Sequence, residues 1–290
     1  MFREEDQNAR FPAIMRHISA RGRPIGAFAM IAGYLDESTT PDNAVLSVAI
    51  TVADLDGWGG LGRVWLPQIA GLESGYHAKD CKALHMALAK AMEAHTAFSS
   101  FITITQADYH EHLPKWTQSI LGGPYSFGVL FSLMSAAKWS RENGAGRMFY
   151  FIEQGHRGFA QASMMMTAMM RSEELRDMFA LEGWGPATKA DIPVHCPDTV
   201  SYNATAYFGS QTKSRFLDVL YNCGKLSRGN FTEQAFREHA GKFKDAARAT
   251  LRRGRRYDLA RHRPCRLRCA AVPVCRRGRV ARLKNIPISC

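Results

Sequence analysis

The runs Met30-Ile31-Ala32-Gly33-Tyr34-Leu35-Asp36 and Ala44-Val45-Leu46-Ser47-Val48-Ala49-Ile50-Thr51-Val52 are separated by the turn-prone Ser38-Thr39-Thr40-Pro41-Asp42-Asn43. Both have strand length, and the second is rich in β-branched residues. So short a connection makes an antiparallel hairpin the natural pairing. Asp36 and Glu37 fall where the first strand is expected to end.

After Gly57-Trp58-Gly59-Gly60, a loop-and-helix region carries Tyr76-His77-Ala78-Lys79-Asp80, and a helix is expected from about Cys81 to His95. Phe98 to Thr105 sets Ile102 and Ile104 against Thr and Ser neighbours and reads as a third strand. Leu113 to Asn143 reads as mainly helical, broken near Gly122-Gly123-Pro124. Arg147 to Glu153 is almost wholly apolar, the character of a central strand covered on both faces. A strong helix is expected over Phe159 to Ala180, with Met164, Met165, Met166, Met169, Met170 and Met178. Core packing explains such a methionine stripe better than an adaptable binding face does. Ala190 to His195 reads as a short fifth strand, Asp198 to Phe208 as the helix after it, and Phe216 to Leu226 as one more helical piece. Hairpin strands followed by alternating strands and helices imply an α/β fold. Its sheet is mixed, an antiparallel hairpin plus parallel strands, with helices on its faces and a helical insertion. This order of elements is similar to that of ribonuclease H-like folds.

At 290 residues the chain can bury one good core. Its 46% hydrophobic and 22% charged residues are those of an ordinary globular protein. No run of about 18 apolar residues occurs, which argues against a membrane span. Met1 to Arg10 carries Glu4, Glu5 and Asp6 without the apolar segment of a secretory signal. A cytoplasmic location with free thiols is therefore expected.

The net charge of +12 is confined to the end of the chain, because residues 251–290 hold twelve Arg, one Lys and one Asp. Cys265, Cys269, Cys275 and Cys290 lie there too. Three readings of this tail stay open. It is a basic arm that neutralises phosphates, a zinc site of Cys265, Cys269, Cys275 and His262, or a stretch with little fold of its own, even a read-through in an altered frame. The zinc spacing lacks the paired C-x₂-C geometry of specific motifs. The expected organisation is a flexible lead-in (1–25), a core domain (26–230), a helical extension (231–250) and a basic, disordered or non-native tail (251–290).

Two more acidic residues occupy places like that of Asp36. Glu153 closes Phe149-Tyr150-Phe151-Ile152-Glu153, and Asp198 stands in Cys196-Pro197-Asp198-Thr199 where a helix is expected to begin. Carboxylates at the ends of apolar strands are poorly solvated and repel one another when they converge, and a hard cation between them relieves both effects. Each also has a plainer reading. Asp36 is an ordinary turn residue, His156 or Arg157 satisfies Glu153, and Asp198 caps a helix. His77, Lys79 and Asp80 then form a solvated loop with local ion pairs. For a thiol nucleophile, His195, Cys196 and Cys81 supply no base whose orientation the sequence reveals.

Tyr34-Leu35-Asp36-Glu37-Ser38 resembles the Y-[IL]-D-E-S-G opening of the DUF3800 family, and His77-Ala78-Lys79-Asp80 resembles its H-x-K-D stretch. Glu153 is similar to the family's central acidic position. Val194-His195-Cys196-Pro197-Asp198-Thr199-Val200-Ser201-Tyr202 matches the last motif, approximately L-Q-x-A-D-x-x-A-Y, at the aspartate, the tyrosine and their spacing. The likeness spans roughly residues 30–210, with Thr39 in place of the usual glycine and Cys196-Pro197 in place of the usual small residues. It implies a ribonuclease H-like fold more firmly than any reaction.

The activity it suggests is phosphodiester hydrolysis, by a divalent-metal-dependent nuclease or a related enzyme acting on DNA or RNA. Two Mg²⁺ or Mn²⁺ ions about 3.5–4 Å apart promote such hydrolysis, and hard cations prefer carboxylate oxygens to thiols. On this reading Asp36 bridges both ions, Glu153 and Asp198 hold one each, and Asp80 is a fourth ligand. Lys79 or His77 contacts phosphate or moves protons. Glu37 leaves the opposite face of an extended strand and joins only if the chain bends. The rival readings are a catalytically inactive nucleic-acid- or protein-binding module that keeps the fold, and an interaction protein whose acidic residues only cap and turn.

Overall fold

The structure, a computed structural model, describes residues 31–72, 75–231 and 233–236. Six strands form one sheet: β1 (Ile31–Thr39), β2 (Val45–Asp54), β3 (Phe98–Thr105), β4 (Met148–Glu153), β5 (Leu181–Ala187) and β6 (Leu226–Phe231). Their order across the sheet is β5-β4-β1-β2-β3-β6. The β1, β2 and β3 strands form an antiparallel meander. Parallel pairings add β4 to β1, β5 to β4 and β6 to β3. The mixed α/β sheet is therefore as expected.

Side chains alternate across the sheet. From β2, Leu46, Val48, Ile50 and Val52 enter one core with Leu35, Tyr150 and Ile152. That core is covered by α5 (Pro124–Glu142) and α6 (Phe159–Met170). Ala32, Tyr34, Ala49, Ala53 and Phe151 enter the other core. It is closed by α1 (Leu55–Ile69), α2 (His85–His95), α8 (His195–Ser210) and α9 (Arg215–Asn222). Four polar residues of β2 and β3 face this second side and satisfy one another, Ser47 with Thr103 at 3.3 Å and Thr51 with Ser99 at 3.1 Å.

Several local expectations are corrected. The first strand runs through Asp36 to Thr39 instead of stopping there. The glycine run at 57–60, to which no element was assigned, lies in the first turns of α1, whose N-cap Asp54 accepts from the Gly57 amide at 2.7 Å. Those glycines admit close packing, since a Cβ on Gly57 would lie 2.3 Å from the His95 carbonyl oxygen. Gln106–His112 (α3) is a helix that precedes α4 (Lys115–Leu121). The long helix expected over 159–180 is two, α6 and α7 (Glu173–Met178), with Ser172 capping the second through the Leu175 amide at 3.3 Å. The fifth strand is Leu181–Ala187, with Gly183, Gly185 and Pro186 inside it, and the segment read as that strand instead forms a 3₁₀ turn, Ile192–Val194. The last helical piece stops at Asn222, and β6 follows.

Met166 and Met169 are buried as expected, whereas Met164 and Met178 are exposed. Among the described residues no helix is long and apolar enough to cross a membrane. The 1–25 lead-in, the tail beyond residue 250 with its cysteines, and all of the 231–250 extension except 231 and 233–236 lie outside the described residues.

Candidate functional site

The last β1–β4 pair is Leu35 opposite Ile152, yet β1 continues against β2 as far as Thr39 opposite Leu46. Past Leu35 the β4 side of β1 is therefore open, and Glu153 closes β4 at the same level. Asp36 and Glu37 start toward opposite faces of the strand, but with no neighbouring strand between them both reach the gap. Carboxylate oxygens of Asp36, Glu37 and Glu153 all lie within 4.8 Å of one another. Glu37 thus joins Asp36 by way of the open strand edge, and the strand does not end to let it in.

This grouping is tightly held. Asp36 Oδ1 accepts the Glu37 amide at 2.8 Å, and its Oδ2 accepts from the Lys189 ammonium. Glu153 Oε2 accepts the Gly155 amide at 2.6 Å, while His156 stacks on Tyr125 with ring centroids 4.1 Å apart. A Cβ on Gly155 would lie 2.9 Å from both Glu153 oxygens, so the close approach requires glycine. Two buried polar atoms beside this group, Glu37 Oε2 and the Tyr125 hydroxyl, have no hydrogen-bond partner among the described residues. Tyr125 is only 4% exposed.

Burial pushes the Asp36 carboxyl well up against the pull of Lys189, with Glu37 and Asp198 pushing the same way. Burial and then Glu153 raise Glu37 to about 7. Tyr125 is raised by burial and then by the charges of Glu37, Asp36 and Glu153, which places its hydroxyl in the field of all three. His156 is lowered to about 4 by burial and by Arg157.

Asp198 does not join the three carboxylates. It lies in the first turn of α8, where its Oδ2 accepts the Ala78 amide at 3.0 Å and its Oδ1 pairs with the Lys189 ammonium at 3.1 Å. It is neither a helix cap nor a direct neighbour of Glu153. Lys189 stands between Asp36 and Asp198, where the sequence motifs suggest a metal ion. Burial works to lower Lys189, but the two carboxylates outweigh it and hold the ammonium above the ordinary lysine range.

The segment 76–80 serves mainly to fix Asp198. Besides the Ala78 amide, its Tyr76 hydroxyl meets Thr199 Oγ1 at 2.7 Å, and the Ala78 carbonyl accepts from His85 Nε2 at 2.8 Å. His77, Lys79 and Asp80 line an open cleft of about 1060 Å³ together with Glu37, Lys189 and Asp198. Asp80 lies at the cleft wall outside the carboxylate group and is not one of its oxygen donors. Cys196 is fully buried and its thiol is pushed up by that burial, which removes it as a nucleophile.

Lys189 and Tyr125 were not legible as site residues, and His195, weighed only beside a thiol nucleophile, turns out to hold the Lys189 backbone. His195 is 3% exposed, accepts from Trp65 Nε1 at 3.0 Å through Nδ1 and donates from Nε2 to the Lys189 carbonyl at 2.9 Å. Burial lowers it to about 4, so the ring is neutral and fixed in one tautomer. No protein-family model and no curated protein matches this chain.

Proposed function

We propose that the protein is a divalent-metal-dependent phosphodiester hydrolase, a nuclease or close relative, on a ribonuclease H-like core of the DUF3800 type. The strand order β3-β2-β1-β4-β5, with an antiparallel meander followed by parallel strands, supports the ribonuclease H-like part. The observation that carries the activity is the Asp36–Glu37–Glu153 group, in which Asp36 and Glu153 are buried and half-buried Glu37, with one unpartnered oxygen, lines a solvent-open cleft. Three converging carboxylates are oxygen donors suited to Mg²⁺ or Mn²⁺, and the orphaned oxygen gives a cation something to satisfy. Asp36, Glu37 and Glu153 would hold the ion. Bound there, it supplies Lewis-acid activation of water and charge neutralisation at a phosphate.

The chain's own residues do the rest. Lys189 keeps Asp36 and Asp198 from repelling each other and presents a positive charge to the cleft. The Gly155 amide fixes Glu153. His77 and Lys79 at the cleft wall can meet substrate phosphate.

A second reading, a binding module that retains the fold without hydrolysis, is favoured by the engagement of Asp198 with Lys189 and Ala78. Thermal stability with and without Mn²⁺, read beside cleavage of single-stranded and duplex DNA and RNA, separates the two. The hydrolase gains stability with Mn²⁺ and turns over a nucleic acid, and Asp36→Asn loses both. A metal response without turnover of any substrate leaves the binding module. No metal response removes the cation site itself.

A further inference from the structure

The cation site above is read as an acidic group open to metal, and Lys189 decides how many ions it takes. Resting on that reading, we infer that the site holds a single divalent cation, at Asp36, Glu37 and Glu153, while the Lys189 ammonium occupies the place of a second ion between Asp36 and Asp198. Lys189 is thereby a positioning residue that sets the metal stoichiometry.

The lysine is held in place from several sides. Its ammonium pairs with Asp36 Oδ2 and lies 3.1 Å from Asp198 Oδ1. Its carbonyl accepts from His195, which in turn accepts from Trp65. Next to it Asp191, 1% exposed, accepts from the Thr188 amide at 2.8 Å and the Thr188 hydroxyl at 3.1 Å. This frame delivers the ammonium to one spot, unlike a freely moving surface lysine.

The charges are divided unevenly. Asp36 and Asp198 already share a cation, whereas Glu37 Oε2 and the Tyr125 hydroxyl have no hydrogen-bond partner among the described residues. A dication placed between Asp36 and Asp198 would sit beside the ammonium. Each pair of unit charges about 4 Å apart repels by about 4 kcal/mol at an effective dielectric near 20. The dication would have to expel the lysine from its frame. On the Glu37 side the ammonium pairs with Asp36 alone and need not be expelled, and that side holds the buried oxygen with an unmet hydrogen-bonding requirement.

The probe is Mn²⁺ alone, titrated into the full chain by calorimetry and followed by electron paramagnetic resonance. Wild type is expected to bind one Mn²⁺ with the spectrum of an isolated ion. Lys189→Met removes the charge at nearly constant length and should bind two, with a spin-coupled spectrum. Lys189→Arg restores a single ion. Asp198→Asn leaves the wild-type count at one and returns the Lys189→Met count from two to one. Circular dichroism establishes that each variant is folded, and Lys189→Gln replaces Lys189→Met if that variant is not. Two coupled ions in wild type, or one in the folded charge-removal variant, overturns the inference while leaving the hydrolase reading intact. Absence of any Mn²⁺ uptake by wild type overturns both.

Discussion

Replacing Glu37 by Gln tests the electrostatics of the site without needing a substrate. The carboxyl is raised from an ordinary 4.5 to about 7, first by burial and next by Glu153, with Lys189 pulling the other way. A folded-state value above the unfolded one means that the folded chain binds more protons between those limits. Stability from this group is therefore complete below about 4.5 and lost as pH rises through about 7. At 1.36 kcal/mol per unit, the ionised side chain costs about 3 kcal/mol above pH 7 in the absence of metal. Glu37→Gln keeps the shape and removes the charge, so at pH 8 in EDTA it should be more stable than wild type by roughly that amount. Its melting temperature should rise by about 6–12 °C for a domain of this size. At pH 4.5 the two proteins should melt within about 2 °C of each other, which cancels every other titrating group from the comparison. Added Mn²⁺ should then reverse the order at pH 8, because saturation at 1,000-fold over Kd is worth about 4.1 kcal/mol to wild type and far less to the variant. Urea denaturation at the two pH values, with and without Mn²⁺, reads all four quantities. A variant no more stable than wild type at pH 8 in EDTA would refute the argument.

Gly57→Ala puts a methyl 2.3 Å from the His95 backbone oxygen, which cannot rotate away, and should destabilise by about 1–3 kcal/mol in a urea melt. Gly59→Ala, two residues on, meets only the end of Arg63 at 3.6 Å, and should be neutral or gain up to about 1 kcal/mol from helix propensity. Trp65→Phe removes the donor to buried His195 Nδ1 and should cost about 1–3 kcal/mol. Imidazole nitrogen shifts measured by NMR should then report a ring no longer fixed in one tautomer.

Much of the sheet was legible because its signals are local. Phe98–Thr105 is the strand as read, and the β2 and β4 apolar runs lie within a residue or two of their observed bounds. The failures share a cause in glycine and proline. Gly57 and Gly60 weaken the helical pattern in the sequence, yet they allow α1 to touch His95. Gly183, Gly185 and Pro186 hid an edge strand whose partner β4 supplies the regularity. β6, with Arg228 and Asn230, carries no apolar pattern and exists by pairing with β3. Within the site, Asp36 and Glu153 were legible as acidic ends of apolar strands. Glu37 was not placed, because whether a strand flanks it is a tertiary fact. Lys189 was invisible, since a lysine in Thr188-Lys189-Ala190-Asp191 looks like any surface residue until the chain brings it 3.1 Å from Asp198.

The site's location follows from topology. β1 leads to β2 on one side, while β4 lies on the other and leads on to β5, so the gap between β1 and β4 is where the sheet order reverses. In open α/β sheets the crevice outside the carboxyl ends of the strands at such a point is left free for a ligand. Parallel pairing of β1 and β4 brings both carboxyl ends to that edge, which is why Asp36, Glu37 and Glu153 meet although they are far apart in sequence. Meeting there does not stabilise the fold. Apolar side chains at the same positions would avoid both the repulsion and the desolvation, and the Glu37 oxygen and Tyr125 hydroxyl would not be left unpartnered. Lys189 offsets part of this by pairing with Asp36 and Asp198, and compensates the Glu37 side only from a distance. An arrangement that is half neutralised by the chain itself makes physical sense if the other half is completed from solution, and a divalent cation is the species whose charge and oxygen preference match what remains.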